Sequence, residues 1–537
     1  MADKPNILLI TTDQQRYDTI CALGYPHMYT PNLDRLVQEG CSFRNAYSPN
    51  PVCMAARHNI LTGLSARYHG FDDNYFDEGK AIPYDLPTFP QILTDGGEYD
   101  AVAIGKMHFQ PCRRHNGFCR MELMEELPRC REDDDYALFL KQKGYSHVQS
   151  FHGVRNLLYM QPQQSFLPEE CHGTRWVADR AISYIEENAG KRPFLAWVSF
   201  IAPHPPLDVP ERFSNLYFGR EIPEPVVSDT PLSNLAQENS GIADYPDSQY
   251  LRRFRELYYS AVSFVDENIG RILDALTAAG QLDQTLIIFT SDHGEMLGDN
   301  GTYQKFLPYD GAAKIPMIMR YMGKLKPGSV CDDFVDLNDL LPTILDATGY
   351  RYTGNIKLPG ESVFAWNKEK NREYQYMEYG HGNRRWISLR NRRYKYNYYY
   401  GGGYEELFDM EQDPHEKRNL LCFGSDEKLT AVKTQLYERL VQYETEYGLE
   451  GYVEDGKLKV LEDYQISYYQ EMNFPMHTKF LRDYEQTWLL PMETEIRMAI
   501  EREPVVHIGD LKLKNFKKYS GISEEELEKL MKECKNS

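Results

Sequence analysis

Long hydrophobic runs are missing from this chain. Its 537 residues contain no stretch that approaches the roughly 18 apolar residues of a membrane span. The first apolar run, residues 6–10, is also too short for the hydrophobic region of a signal peptide. We therefore expect a cytoplasmic protein with no membrane partner, while a leader that had been removed would leave the same trace.

Paired cysteines and an excess of positive charge are missing as well. The ten cysteines include no C-x-x-C pair, which argues against a zinc site and predicts reduced thiols. The formal net charge is −20, so a surface for nucleic acid or anionic lipid is not expected. An anionic substrate would have to be bound by a local cluster of cationic side chains.

Neither internal repeats nor a low-complexity linker interrupts the chain, and short apolar runs alternate with helical patterns. Hydrophobic residues make up 42% of the sequence, as in ordinary globular proteins. The alternation predicts an α/β fold in which helices cover both faces of a mostly parallel central sheet. Strands are predicted over residues 6–11, 101–105, 193–200, 285–290 and 315–320, and helices over residues 32–39, 176–188 and 250–279.

The composition changes after Gly349. Residues 374–409 are rich in Tyr and Arg with alternating polarity, the glycines at 401–403 favour a hairpin turn, and a helix is predicted over residues 426–447. A capped helix is predicted to begin at Ser523. We predict a catalytic α/β domain over residues 1–370, a smaller α+β domain with an antiparallel sheet over 371–450, and an extension over 451–537 that packs on the catalytic domain.

Polar side chains follow four of the predicted strands at the point where each strand ends. In open α/β sheets, ligands bind beyond the carboxyl ends of the strands. Each residue alone has an ordinary interpretation, such as a turn former for Asp13 or a solvated side chain for Lys305. Together they predict a site for a metal ion and an anion. The strand-end residues are Asp13, Gln14, Lys106, His108, His204, Asp292 and His293.

A divalent cation is the cofactor that this set of donors favours. Asp13 and Asp292 offer carboxylates, Gln14 offers an amide oxygen, and His293 offers an imidazole. Mostly oxygen ligands suit a hard cation, with Ca²⁺ as the first choice and Mg²⁺ as another. The imidazole moves the preference somewhat toward Mn²⁺.

Cys53 lies at the predicted start of a helix, four residues before Arg57. The unpaired N–H groups and positive dipole end of a helix N-terminus suit a nucleophile that attacks an anion. Arg57, one turn later on the same face, can bind an oxyanion. A lone cysteine is more often a buried structural thiol than a nucleophile, so the choice between these two interpretations depends on the surrounding motifs.

Six blocks of the sequence, in order, resemble those of type I sulfatases, the formylglycine-dependent members of the alkaline-phosphatase superfamily. The resemblance covers residues 4–450 and implies an alkaline-phosphatase-like α/β/α sandwich. The blocks are T-P-N-L-D-R-L from Thr30, C-M-A-A-R…L-T-G from Cys53, G-K-M-H from Gly105, A-P-H-P-P from Ala202, S-D-H-G-E-M-L-G-D from Ser291, and the late R-Y-K-Y, E-L-F-D and D-P stretches from Arg393.

The resemblance implies a role for each matching residue. Cys53 would be oxidised to formylglycine, and one hydroxyl of its hydrate would sit on the metal, attack sulfur and displace the alcohol. The other implied roles are assistance in sulfate release for His108, sulfate binding and protonation of the leaving oxygen for His204 and Lys305, charge neutralisation for Arg57 and Lys106, and metal coordination for Asp13, Gln14, Cys53, Asp292 and His293.

Three positions depart from the pattern of the family. Ala55 stands where the family usually has proline, which implies an anaerobic radical maturase as the partner that oxidises Cys53. Gln14 and His293 replace an Asp and an Asn, a combination that is also found in choline-sulfatase-like and phosphonate monoester hydrolase branches. Asn300 stands where His is common, which implies a changed substrate pocket.

The sequence thus favours hydrolysis of a sulfate monoester of a sugar or small alcohol. A phosphonate monoester hydrolase or phosphodiesterase is the alternative, because it shares the nucleophile and the metal. A catalytically silent binding protein, in which Cys53 stays a thiol, is a third hypothesis. The residues predicted to line the substrate pocket are Asn74, Asn300, His381 and Arg384, with His69, Asp72 and Asp73 as further candidates.

Overall fold

The computed structural model describes residues 4–75, 79–128, 130–148, 151–153, 163–240, 248–365, 372–424 and 426–465. Its largest element is an eight-stranded sheet. The strands are β1 Asn6–Asp13, β2 Cys41–Tyr47, β3 Asp100–Gly105, β4 Arg120–Leu123, β5 Phe194–Pro203, β6 Thr285–Ser291, β7 Met317–Arg320 and β8 Ser329–Asp336. Their order across the sheet is β8-β2-β7-β6-β1-β5-β3-β4.

Long and short α-helices connect these strands. In the described part of the chain they are α1 Pro31–Glu39, α2 Cys53–Thr62, α3 Ala66–His69, α4 Phe89–Asp95, α5 Asp135–Gln142, α6 Gly173–Asn188, α7 Glu211–Ser214, α8 Asn234–Ser240, α9 Ser248–Ala278, α10 Asp310–Ala313, α11 Leu340–Thr348 and α12 Glu427–Tyr447. None of these helices is long and apolar enough to span a bilayer.

Both faces of the central sheet are buried, because alternate residues of its strands belong to different hydrophobic cores. In β1, Ile7 and Leu9 pack with residues of α2, α4 and α11, whereas Leu8 and Ile10 pack with residues of α1, α6 and α9. This two-sided burial explains why the strands are continuous apolar runs in the sequence. The predicted α/β/α sandwich with a mostly parallel central sheet is confirmed.

The strand predicted over residues 315–320 is present as β7, but its predicted parallel direction is wrong. β7 pairs antiparallel with both of its neighbours, β6 and β2. The connection from β6 to β7 contains only short helices, and no long crossover returns the chain to the opposite edge. The chain therefore enters β7 from the carboxyl edge of β6 and runs back.

A second, four-stranded sheet follows in the sequence and is antiparallel. Its strands, β9 Gln375–Tyr379, β10 Trp386–Arg390, β11 Tyr394–Tyr399 and β12 Tyr404–Asp409, lie in sequence order. One face packs on α12 through Leu436 and Leu440, and the other carries Trp386 against Val52 and Ala55 at the start of α2. The predicted antiparallel sheet with one helix is confirmed. The boundaries 1–370, 371–450 and 451–537 stay predictions, and the helix predicted from Ser523 lies outside the described residues.

Candidate active site

Cys53 is buried at the carboxyl edge of the central sheet, as the first residue of α2. Its Sγ lies 3.2 Å from His293 Nε2 and 3.8 Å from Asp13 Oδ1. The side chain of Asn74 accepts the N–H of Met54 at 3.1 Å and so satisfies one of the donors that a helix leaves unpaired at its start. The fold thus presents residue 53 at a helix N-terminus, where the dipole favours negative charge.

Four donor atoms converge beside α2. Ligand atoms of Asp13, Cys53, Asp292 and His293 all lie within 4.8 Å of one another, and the four side chains are buried. The contact of His293 Nδ1 with the Gly294 carbonyl, 2.9 Å, assigns the ring proton to Nδ1 and leaves the Nε2 lone pair facing the group. Two carboxylates, an imidazole and residue 53 form a set of donors that fits a divalent cation.

Gln14, the fifth predicted ligand, is held beside this group by hydrogen bonds of its backbone and of its side chain. Its backbone N–H donates to Asp292 Oδ1 at 3.1 Å, and its side-chain N–H donates to Glu295. Its amide oxygen accepts from Lys305 Nζ at 2.7 Å. Because that oxygen already contacts a cation of the site, metal coordination by Gln14 stays a prediction.

Arg57 lies one turn after Cys53 and binds both carboxylates of the group. Its Nε donates to Asp292 Oδ2 at 3.0 Å, and its Nη2 lies 3.4 Å from Asp13 Oδ2. Its Nη1 donates to the carbonyl of Lys106 and to Ser199 Oγ, at 2.6 and 2.7 Å. The guanidinium therefore connects α2 to the carboxyl ends of β1, β3 and β6 and to the middle of β5.

Lys106 supplies a second buried cation. Its Nζ lies 2.5 Å from Asp13 Oδ2 and also contacts Glu126. Burial raises the pKa of Asp13, but the charges of Lys106 and Arg57 outweigh it and hold that pKa well below its ordinary value. Arg57 and Lys106 thus form the local cluster of cationic side chains that was expected for binding an anionic substrate in an acidic protein. Nothing in the local sequence points to Glu126, because the short strand β4 before it has no continuous apolar run.

His204 and Lys305 form a contacting pair. His204 Nε2 lies 2.9 Å from Lys305 Nζ, and its Nδ1 lies 2.6 Å from the Pro205 carbonyl. These contacts assign the ring proton to Nδ1, so that Nε2 accepts a hydrogen bond from the ammonium group. Burial lowers the pKa of His204 well below its ordinary value, in agreement with a neutral ring.

His108 lies on the loop that follows β3, with a left-handed backbone at φ 55°. Its N–H and that of Met107 both donate to Glu125 Oε1 at 3.0 Å. The N–H of Glu125 in turn donates to Asp134 Oδ2 at 2.7 Å. Glu125 therefore fixes the loop that carries His108 and Lys106. Burial lowers the pKa of His108 well below its ordinary value.

Two of the predicted substrate-binding residues lie together on the loop between β9 and β10. His381 Nδ1 is 2.7 Å from Asp72 Oδ2, and its side chain is 60% exposed. Arg384 is also exposed. Burial raises the pKa of Asp73, and the charge of Arg384 offsets part of this effect. The Tyr379 hydroxyl donates to Asp73 Oδ2 at 3.0 Å. The segment 72–74 thus links this loop to the start of α2, and we call the loop and the segment together the rim.

Asn300 and His69 have other surroundings. The N–H of Asn300 donates to the carbonyl of Val226 at 2.6 Å, and a role for Asn300 in the pocket stays a prediction. His69 is fully buried, and its ring contacts Asn59 Nδ2 at 3.2 Å and the N–H of Phe71 at 3.1 Å. The ring is therefore part of the packing beside α2, and a role for His69 in the pocket stays a prediction.

Comparison with known proteins decides the family. Residues 5–350 match the Sulfatase family, and residues 298–446 match the family of N-sulphoglucosamine sulphohydrolase C-terminal domains. The chain belongs to the sulfatase family. It is a sulfuric ester hydrolase with the fold of the alkaline-phosphatase superfamily.

Two curated relatives and one solved structure illustrate the likeness. This sulfatase is 30% identical to an arylsulfatase of Clostridium perfringens over 487 residues, which cover 86% of the chain and 98% of the relative. It is 26% identical to an N-acetylglucosamine-6-O-sulfatase of Bacteroides thetaiotaomicron over 521 residues, 83% of the chain and 87% of the relative. A phosphonate monoester hydrolase of Agrobacterium radiobacter has the same fold, with a TM-score of 0.71, 24% identity, and coverage of 84% and 98%.

Proposed function

We propose that this sulfatase hydrolyses a sulfate monoester of a sugar or small alcohol with a nucleophile derived from Cys53. The convergence of Cys53 with Asp13, Asp292 and His293 at one helix start supports the proposal most directly. Buried cations beside these groups suit an anionic ester in a protein whose net charge is −20. The N-acetylglucosamine-6-O-sulfatase among the relatives supports a sugar sulfate as the substrate.

A divalent metal ion and a formylglycine at position 53 fit the residues at the centre. Asp13, Gln14, Asp292 and His293, with residue 53, would hold the metal, for which Ca²⁺ is the first choice and Mn²⁺ or Mg²⁺ the others. When bound, the metal would lower the pKa of a hydroxyl of the hydrated aldehyde, which would serve as the nucleophile. Oxidation of Cys53 by a maturase, of the anaerobic radical type in view of Ala55, is part of the proposal.

The chain's own residues bind the sulfate and move the protons. Arg57 and Lys106 stabilise negative charge on the sulfate oxygens, and their burial makes this interaction stronger than it would be in water. Lys305 and His204 hold the sulfate and give a proton to the leaving oxygen as the sulfur–oxygen bond breaks. His108 accepts a proton in the step that releases sulfate from residue 53.

The rim supplies the contacts to the alcohol part of the ester. His381 and Arg384 would contact the alcohol from the second sheet, and Asn74, which is held against the start of α2, would contact it from the other side of the rim. Asn300 is the remaining candidate on the loop before Lys305. Such polar groups at the mouth of a site fix the orientation of a bound sugar.

Activity and the chemical state of residue 53 test the proposal together. We expect protein that was co-expressed with an anaerobic maturase to contain an aldehyde in the peptide with Cys53, and to hydrolyse 4-nitrophenyl sulfate and N-acetylglucosamine 6-sulfate. Cys53→Ala should fold normally and lose activity by a factor of about 10³ or more. Full activity of the alanine variant, or faster hydrolysis of a phosphonate monoester than of both sulfates, would refute the proposal.

A further inference from the structure

Glu126 places a buried carboxylate between two cationic groups of the site. Its side chain is 6% exposed; one oxygen lies 2.5 Å from Lys106 Nζ, and the other lies 3.5 Å from His204 Nε2. Burial of a carboxylate is costly unless partners compensate it. The contact with Lys106 provides that compensation and fixes the carboxylate beside the ring of His204.

His204 Nε2 faces two groups of opposite charge. Lys305 Nζ lies 2.9 Å away, and Glu126 Oε1 lies 3.5 Å away. A neighbouring ammonium favours the neutral ring, whereas a neighbouring carboxylate favours the protonated ring. When a sulfate oxygen becomes the partner of Lys305, the ammonium group no longer opposes protonation of His204 Nε2. The effect of the Glu126 carboxylate then dominates, and the ring takes up a proton from solvent.

We propose that Glu126 is a positioning residue that keeps His204 oriented and ready to protonate the leaving oxygen once the sulfate has engaged Lys305. The inference rests on the proposed function, in which the pair of His204 and Lys305 delivers that proton. As the sulfur–oxygen bond breaks, its electron pair stays on the leaving oxygen, which takes the proton from His204 Nε2. The ring keeps its Nδ1 proton, which it donates to the Pro205 carbonyl, and Glu126 stays in place beside Nε2.

The inference is tested by comparing kcat on two sulfate esters whose leaving groups differ in how much they depend on protonation. Glu126→Gln keeps the size of the side chain and removes its charge. On phenyl sulfate, whose leaving oxygen is strongly basic, we expect kcat of this variant to fall about 100-fold. On 4-nitrophenyl sulfate, which needs little protonation, we expect a loss of about tenfold or less. KM should change little for both esters, and Glu126→Asp, which keeps the charge, should recover most of the kcat.

Glu122→Gln is the matched control, because Glu122 is similarly buried at 11% exposure and pairs with Arg180 and Arg120. We expect it to leave the ratio of the two kcat values unchanged. All variants are compared at equal aldehyde content of residue 53 and after a check of their thermal unfolding. Should Glu126→Gln not fold, Glu126→Asp decides, since its residual loss should be confined to phenyl sulfate.

Equal losses on the two esters, or no loss on either, would overturn the role of Glu126 while the wild type remains an active sulfatase. If matured wild-type protein hydrolyses neither ester nor N-acetylglucosamine 6-sulfate, the proposed function itself fails, and the role of Glu126 fails with it. The two failures are therefore distinguishable.

Discussion

At the residue scale, Arg57 is the side chain that holds most of the site together. Its Nε and Nη2 lie 3.0 and 2.9 Å from Asp292 Oδ2, and its Nη1 reaches the Lys106 carbonyl and Ser199 Oγ. A lysine has one compact charged group and cannot reach acceptors on so many sides at once. The planar guanidinium is therefore required for its geometry as well as for its charge.

Arg57→Lys should reduce kcat/KM for 4-nitrophenyl sulfate by a factor of about 10² or more, because the lysine ammonium cannot reach the sulfate oxygens in the geometry that the guanidinium provides. Ser199→Ala is the control, since it removes one neutral partner of the same guanidinium, and it should cost less than about tenfold. Steady-state kinetics at equal aldehyde content measure both. Equal effects of the two substitutions would show that Arg57 acts only as a structural donor.

The contact between His381 and Asp72 predicts a pH dependence at the rim. The hydrogen bond to Asp72 raises the pKa of His381 above its ordinary value of 6.5. Its contribution to stability is complete below the pKa of the unfolded chain and is lost as the pH rises through the raised pKa of the folded protein. We expect an NMR titration of His381 to give a midpoint above 6.5 that falls toward 6.5 in Asp72→Asn. An unchanged midpoint in the variant would refute this cause of the shift.

At the scale of secondary-structure elements, the end of β3 shows how the sheet fixes the site. Gly105 has φ 92°, and a Cβ at this position would lie 2.0 Å from the carbonyl oxygen of Ser199 on β5. Both the left-handed backbone and the close approach require glycine. The next residue is Lys106, so the strand end and the position of its cationic side chain depend on the same turn.

Gly105→Ala should lower the free energy of unfolding by about 3 kcal/mol or more, because backbone strain and a steric clash act together. Gly97→Ala separates the two causes. Gly97 has a similar φ of 78°, but no heavy atom lies within 4 Å of the added Cβ, and we expect a loss of about 1 kcal/mol. Urea denaturation of both variants measures the difference, and equal losses would mean that the contact with Ser199 relaxes freely.

The elements also show what a sequence can predict. The strands β1, β3, β5 and β6 are continuous apolar runs because both of their faces are buried, and such runs can be recognised in a sequence. Since ligands bind beyond the carboxyl ends of parallel strands, the residues after these runs could be predicted to share one site. These residues include Asp13, Lys106, His204 and Asp292. The strands β2, β4 and β8 were not predicted, since their sequences mix polar and apolar residues.

Glu125 and Glu126 could not be predicted from the sequence, for a different reason. They follow β4, a strand of four residues at the edge of the sheet, so no apolar run directs attention to them. Their importance comes from contacts across the sheet, with the loop at 106–108 and with His204. Local sequence patterns contain no information about such long-range pairs of charges.

At the scale of the whole molecule, a buried ion cluster joins the two sheets. Asp310 in α10 accepts from Lys395 Nζ at 3.0 Å, from Arg390 Nη1 at 2.8 Å and from the Tyr47 hydroxyl at 3.1 Å. Close by, the indole N–H of Trp386 donates to the carbonyl of Phe306 at 2.7 Å, one residue after Lys305. The second sheet therefore supports the loop that carries a cation of the active site.

Asp310→Asn should destabilise the whole protein, because Arg390 would lose the carboxylate that compensates its burial and Lys395 would keep only that of Glu416. Removal of one partner of a buried ion pair costs about 3–5 kcal/mol, whereas an exposed pair contributes about 1 kcal/mol or less. Asp274→Asn, which removes an exposed partner of Arg35, is the matched control. Chemical denaturation measures both, and a loss in Asp310→Asn no larger than in the control would contradict the prediction. Because the cluster links the sheets, we also expect Asp310→Asn to reduce kcat on 4-nitrophenyl sulfate through the loop of Lys305.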